Sequence, residues 1–246
     1  MNVFQVTYEA KRHILDLHFW GCNLNCKGCY KRFYRDDLGL LDNDFIDFSK
    51  MSVIAEPDRF FSNDEVLLKT EHLDPHYTIF MGKEASLDPD MPILARAIHD
   101  RFKSTNILLT NGLTLADVNA IDEIIFSFKA FNPEIHRKYT GQTNEQILDN
   151  FKTLCAMEKQ IQAEIAYIPG LVETHEIEQL AKFIAGVNDQ IIFRVTSYIS
   201  VPSAPWPSAT RPQVESAVAR AKVYLPNVDQ VTSDMRDKSW KPVTIL

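Results

Sequence analysis

The chain lacks the cysteines for a disulfide framework. It has four, and three of them crowd between positions 22 and 29. The remaining Cys155 lies in a helical pattern, where a lone cysteine is usually a small core residue. No apolar run is long enough to span a bilayer, and the N-terminus carries no signal-peptide pattern. No membrane partner is therefore expected, and the free thiols suit a reducing cytoplasm. Positive charge is not in excess either. The formal net charge of −7 disfavours nucleic acid as a partner. There is no second Cys-x2-Cys pair to close a four-ligand zinc site. The seven histidines show no metal-ligand spacing, since Pro75 breaks any helical face shared by His72 and His76. No low-complexity stretch or linker divides the chain. It reads as one domain over 1–246, with a core at about 13–225 and a short extension at 226–246.

What is present is an apolar content of 45%, enough for a sizeable core, and one dense motif. Residues 22 to 29 read Cys22-Asn-Leu-Asn-Cys26-Lys-Gly-Cys29, a C-x3-C-x2-C spacing. Three thiolates suit a [4Fe–4S] cluster with one iron left open to a small molecule. A zinc knuckle completed by a remote Cys or His is the competing reading. The apolar run His13–Trp20 precedes the motif and Gly21 ends it, so the cysteines sit in a loop after a strand. Lys27, Lys31, Arg32 and Arg35 surround that loop. They form either an ordinary solvated face or a docking surface for an acidic electron donor.

Further apolar runs recur at Tyr77–Met81, Asn106–Leu109, Ile124–Phe131, Ala163–Ile168 and Ile191–Ser197. They are near-continuously apolar, as parallel strands buried on both faces would be. Helix signals separate them. Asn132-Pro133 places a cap before a proline at the first helical position. Thr143-Asn-Glu-Gln146 has the form of a capping box. Ile177, Leu180, Ala181 and Ile184 share one helical face, and Thr210-Arg-Pro-Gln213 opens a helix running to about Leu225. Six βα units argue for an α/β fold with a parallel sheet. Periodicity leaves an open barrel and a doubly wound sheet as alternatives.

The cysteine segment resembles the signature of the radical S-adenosylmethionine (SAM) enzymes. The resemblance implies a partial (β/α)6 TIM-like barrel of parallel strands. It also implies a [4Fe–4S] cluster on Cys22, Cys26 and Cys29 and SAM at the open iron. Further strand ends are similar to the activating enzymes of glycyl radical proteins, pyruvate formate-lyase activase among them: Met81-Gly82-Lys83-Glu84, Thr110-Asn111-Gly112, Ser127-Phe128-Lys129 with its His136…Thr140-Gly141 continuation, and Ile168-Pro169-Gly170. The Lys-Gly-Cys-Tyr30 sequence is closer to anaerobic ribonucleotide reductase activases. The resemblance implies SAM contacts at Tyr30, Gly82, Glu84, Thr110, Asn111, Ser127, Lys129 and Ile168. Arg194, within an apolar strand, faces either the SAM carboxylate or a carboxylate of the protein. Three positions depart from the family pattern. Leu109 and Ser127 stand where aspartates of a cation site are usual, and Gly28 stands where an aromatic residue packs on adenine. The long loop 198–207 is expected to face the substrate.

The expected activity is reductive cleavage of SAM to a 5′-deoxyadenosyl radical that abstracts a substrate hydrogen. A flavodoxin or ferredoxin would supply the electron, and a glycyl radical protein is the substrate implied. The alternatives are modification of a small molecule, peptide or RNA base, or a non-enzymatic Fe–S carrier or zinc-stabilised interaction module.

Overall fold

The computed structural model describes residues 1–246 except 42–46, 49, 158, 203, 236 and 238. Strand β1 (Val3–Glu9) turns back antiparallel onto β2 (Ile14–Phe19). From β2 onward the sheet is parallel: β3 (Tyr77–Gly82), β4 (Thr105–Thr110), β5 (Glu123–Phe128), β6 (Gln160–Tyr167), β7 (Ile192–Ser197) and β8 (Val228–Val231) follow side by side. A two-residue β9 (Val243–Thr244) pairs antiparallel with β1 at the opposite edge, so the barrel is open. The helices are α1 (Asn63–Lys69), α2 (Met91–Phe102), α3 (Pro133–Thr140), α4 (Glu145–Cys155), α5 (Thr174–Val187) and α6 (Arg211–Ala221). Among the described residues, no helix is long and apolar enough to cross a membrane.

The six expected strands are β2 to β7. Residues 226–246 also enter the sheet, β8 at one edge and β9 at the other. Burial on both faces does not hold throughout. In β5, Ile124, Phe126 and Phe128 are buried, whereas Glu123, Ile125 and Ser127 are only half-buried. The helix-covered face carries the core, where Phe126, Phe128 and Phe151 meet with ring centroids 4.7–5.1 Å apart. The concave face of an open barrel stays accessible and so admits polar side chains. Strands β1 and β2 are the exceptions, with all seven residues of β1 and five of the six of β2 buried.

Local signals explain the starts of α3 and α6. Asn132 Oδ1 accepts from Glu134 N and Ile135 N ahead of Pro133. Thr210 and Gln213 close a capping box on α6, which ends at Ala221, short of Leu225. The box expected at Thr143–Gln146 does not form. Asn144 caps α4 without a side-chain bond to it and instead donates to the carbonyls of Ala130 and Phe131. Gly82 is required by close packing: at φ 108°, an added Cβ would lie 2.5 Å from the backbone N and O of Phe19. A side chain there would prise β3 from the end of β2, where the cysteine loop begins.

Candidate functional site

The cysteine loop leaves the C-terminal end of β2, the end where α/β barrels build their sites. Backbone bonds pin it to the end of α3. Asn25 N donates to Thr140 O and Lys27 N to Tyr139 O, each at 3.0 Å. Gln142 Nε2 donates to Asn23 O at 2.8 Å. That end of α3 is itself stapled, because His136 Nδ1 lies 2.7 Å from Gln142 O and Thr140 Oγ1 donates to His136 O. The His136…Thr140-Gly141 segment therefore acts as a cradle for the loop. Asn150 extends it by donating to the carbonyls of Gly112 and Leu113 after β4.

All three loop cysteines are free thiols. Burial raises Cys22 and pushes Cys26 up to about 12, so both are neutral thiols until a metal takes their protons. Two cavities flank the loop and share Cys26 and Cys29 in their walls. One, of about 310 Å³, adds Cys22, Arg32, Gly82 and Lys83. The other, of about 270 Å³, opens on the concave face and holds Tyr30, Ser127, Lys129, Tyr139, Glu164, Ile168, Thr196 and Tyr198. A three-thiolate donor set on the wall between two cavities fits a cluster with one open iron. No further cysteine belongs to it, since Cys155 ends α4 and lines neither cavity.

The expected site residues separate into three groups. Tyr30, Ser127, Lys129 and Ile168 line the concave cavity, and Gly82 lines the other. Glu84, Thr110 and Asn111 form a clamp between strand ends. Glu84 is 2% exposed. Its carboxylate accepts from Ser86 Oγ and Thr110 Oγ1 on Oε1 and from Asn111 N on Oε2. Burial raises its pKa although these bonds oppose the shift. Asn111 Nδ2 in turn donates to Asn23 Oδ1 at 2.8 Å and lies 3.6 Å from Cys22 Sγ. The clamp thus reaches the cluster loop through side-chain amides.

Arg194 stands apart and lines neither cavity. Its guanidinium makes a bidentate pair with Asp229 on β8, Nε to Oδ1 at 3.0 Å and Nη2 to Oδ2 at 2.8 Å. The parallel register places Asp229 opposite it, so the protein's own carboxylate takes the place of a SAM carboxylate. The basic patch also shrinks. Lys31 is 4% exposed and donates to the carbonyls of Arg35 and Asp36, leaving Lys27, Arg32 and Arg35 outside. Of the loop 198–207, Tyr198 and Ile199 reach the concave cavity, and Ser203 lies outside the described residues.

Residues not anticipated complete the cavity. Glu164 sits opposite Ser127 in the β5–β6 register. Lys129 Nζ donates to Ser127 Oγ, which donates to Glu164 Oε1, both at 2.8 Å. Glu164 thus places a carboxylate beside position 127 from the neighbouring strand. A single charge inside the run Ala163–Ile168 was the available signal. An added Cβ on Gly28 would lie 2.8 Å from the ring and hydroxyl of Tyr198 and 3.0 Å from the Tyr139 hydroxyl. Gly28 is thus packed against aromatic rings from α3 and from the loop after β7, contacts that local sequence does not encode. Two histidine groups also assemble. His13 and His76 stack at 4.2 Å beside Asp74, and Asp16, His18 and Asp37 meet in the interior.

Comparison with known proteins agrees with this fold. Residues 17–184 match the family model described as the Radical SAM superfamily. A protein of Methanocaldococcus jannaschii, provisionally named a glycyl-radical enzyme activating enzyme, is 26% identical over 241 residues, covering 92% of this chain and 84% of its own. Among solved structures, a domain of pyruvate-formate lyase-activating enzyme from Bacteroides vulgatus matches 62% of this chain and 96% of its own, with TM-score 0.52 and 15% identity. Streptococcus suis SuiB bound to S-adenosylmethionine matches 86% of this chain and 48% of its own, with TM-score 0.61 and 14% identity. At those identities the structural matches speak for the fold alone.

Proposed function

Because the chain belongs to the radical SAM superfamily, we propose that it is an activating-enzyme-like oxidoreductase that cleaves S-adenosylmethionine to a 5′-deoxyadenosyl radical and abstracts hydrogen from a glycine Cα of a partner protein. The observation that carries this reading is the cavity that sets Cys26 and Cys29 against Lys129, Ser127, Glu164, Tyr139 and Tyr198. Cys22, Cys26 and Cys29 would hold the [4Fe–4S] cluster, which when bound supplies the electron for reductive cleavage of SAM.

The chain's own residues orient and enclose. Tyr30, Tyr139 and Tyr198 give the cavity aromatic walls suited to a purine ring. Lys129 and Glu164, joined through Ser127, offer an ammonium and a carboxylate to the polar ends of a zwitterionic ligand. Glu84 acts as a positioning residue, because its carboxylate ties together the turns after β3 and β4. Reduced flavodoxin or ferredoxin in the cytoplasm would supply the electron, approaching Lys27, Arg32 and Arg35.

The test is anaerobic. Protein reconstituted with iron and sulfide is mixed with SAM, dithionite and a glycyl radical protein of the same host. The expected results are 5′-deoxyadenosine and a doublet EPR signal on the partner. If 5′-deoxyadenosine forms while a small molecule or peptide is converted and no protein gains a radical, the partner-protein reading fails. If no 5′-deoxyadenosine forms, the enzymatic reading fails with it.

A further inference from the structure

The segment after the third cysteine folds back onto the first two strands around a buried set of ligand-bearing side chains, separate from both cavities. Asp37 leads the helical turn 38–40. Its Oδ1 accepts from Gly39 N at 2.7 Å and its Oδ2 from Thr7 Oγ1 at 2.8 Å, while its own N–H donates to Gln5 Oε1 at 2.9 Å. His18 Nε2 lies 3.7 Å from Asp37 Oδ2 and 3.5 Å from Thr7 Oγ1. Asp16, two residues before His18 on β2, adds a second carboxylate. One ligand atom from each of Asp16, His18 and Asp37 lies within 4.8 Å of the others. Their exposures are 3%, 0% and 7%.

Two features mark this set as unsatisfied. Asp16 Oδ1 and His18 Nδ1 are buried without a hydrogen-bond partner, a costly state for polar atoms in the interior. Among the described residues, neither carboxylate has a lysine or arginine within ion-pair distance. The neighbouring Lys31 spends its ammonium on the carbonyls of Arg35 and Asp36, at 2.9 and 3.0 Å. Two facing carboxylates in a dry interior cannot both ionise without a cation between them. Two carboxylates and an imidazole, with no thiolate, make a donor set for a divalent first-row metal such as Mn²⁺, Fe²⁺ or Zn²⁺.

We infer that Asp16, His18 and Asp37 form a divalent-cation site that ties the chain following the cysteine loop to strands β1 and β2. The ion would bridge β2 to the turn 37–40, whose Leu38 lines the concave cavity. It would thus hold that wall from behind without touching the bound ligands.

The test uses the holoenzyme with its cluster oxidised and titrates Mn²⁺, reading the six-line EPR signal of the aqueous ion. One equivalent of Mn²⁺ should disappear from solution. The bound ion should show coupling to an imidazole nitrogen, and residues 35–40 should gain protection from hydrogen exchange. Asp16→Asn keeps a neutral group of the same shape. It and His18→Gln should each weaken Mn²⁺ binding by about tenfold or more. The exposed His76→Ala should leave binding and nitrogen coupling unchanged. If Asp16→Asn fails to fold, the His18→Gln titration and the nitrogen coupling in the unaltered protein carry the test. Absence of Mn²⁺ binding, binding without nitrogen coupling, binding that a folded Asp16→Asn or His18→Gln protein retains, or binding abolished by His76→Ala would overturn the inference.

Discussion

Gly28 stands where the resemblance implies an aromatic residue, and the packing around it leaves no room for one. Tyr139 and Tyr198 occupy the space a side chain there would need. Gly28→Phe should therefore fail to restore the family's aromatic contact. It should displace both tyrosines and weaken SAM binding, measured by equilibrium dialysis against the unaltered protein; equal or tighter binding would contradict this packing. Glu84 calls for a different expectation. Glu84→Ala leaves three donors without their acceptor, each costing about 1 kcal/mol or more, offset in part by no longer burying a carboxylate. A net loss of about 2 kcal/mol should lower Tm by roughly 4–8 °C, with SAM affinity falling as a consequence. A thermal melt that does not move would mean the clamp contributes nothing to stability. Lys129, seated on Ser127, brings a fixed ammonium into the concave cavity. Turnover should accordingly change little with added potassium or sodium, and strong activation by either would contradict the seat. The three cysteines were legible because their chemistry is local in sequence. Glu164 and Tyr139 were not, because strand register and the α3 contact bring them in from distant positions; Tyr198 was readable as the start of a substrate-facing loop, but not as the neighbour of Gly28. Arg194 was readable as a residue needing a carboxylate, but not as the partner of Asp229.

At the scale of elements, α3 is the support of the cysteine loop, and the buried His136 staples its C-terminal turn to the Gln142 carbonyl. Burial lowers the pKa of His136, although the bond to the Gln142 carbonyl opposes the shift, and its Nε2 has no partner. A histidine whose folded pKa is depressed leaves the unfolded chain holding more protons as pH falls. Its stabilising contribution is then present above the ordinary histidine pKa and lost as pH drops below it. Denaturant melts at descending pH should show stability falling through that window, and His136→Asn should flatten the fall. An identical pH profile in the variant would remove His136 from the account. Strands β2 to β7 were readable as apolar runs. β1 mixes Gln5, Thr7 and Glu9 into its sequence, and β8 and β9 are too short to give a pattern. The capping signal before α4 misled because Asn144 is drawn to the carbonyls of Ala130 and Phe131, a tertiary bond that outranks the local one.

For the molecule as a whole, the open sheet decides what the sequence could and could not reveal. A closed barrel would bury both strand faces. Here the concave face is free, and polar residues collect on it in register: Ser127 beside Glu164, and Glu164 beside Arg194. Family membership follows from a motif and fold that are legible at long range, whereas the substrate is set by the cavity walls, which are not. The central claim is that Cys22, Cys26 and Cys29 together hold a [4Fe–4S] cluster that serves SAM cleavage. It is tested most directly by measuring iron content and 5′-deoxyadenosine release for the anaerobically reconstituted protein beside Cys26→Ala and Cys155→Ala. The account predicts about four irons per chain and 5′-deoxyadenosine formation for the unaltered and Cys155→Ala proteins, with both lost in Cys26→Ala. A Cys26→Ala protein that keeps its iron and still releases 5′-deoxyadenosine would contradict it.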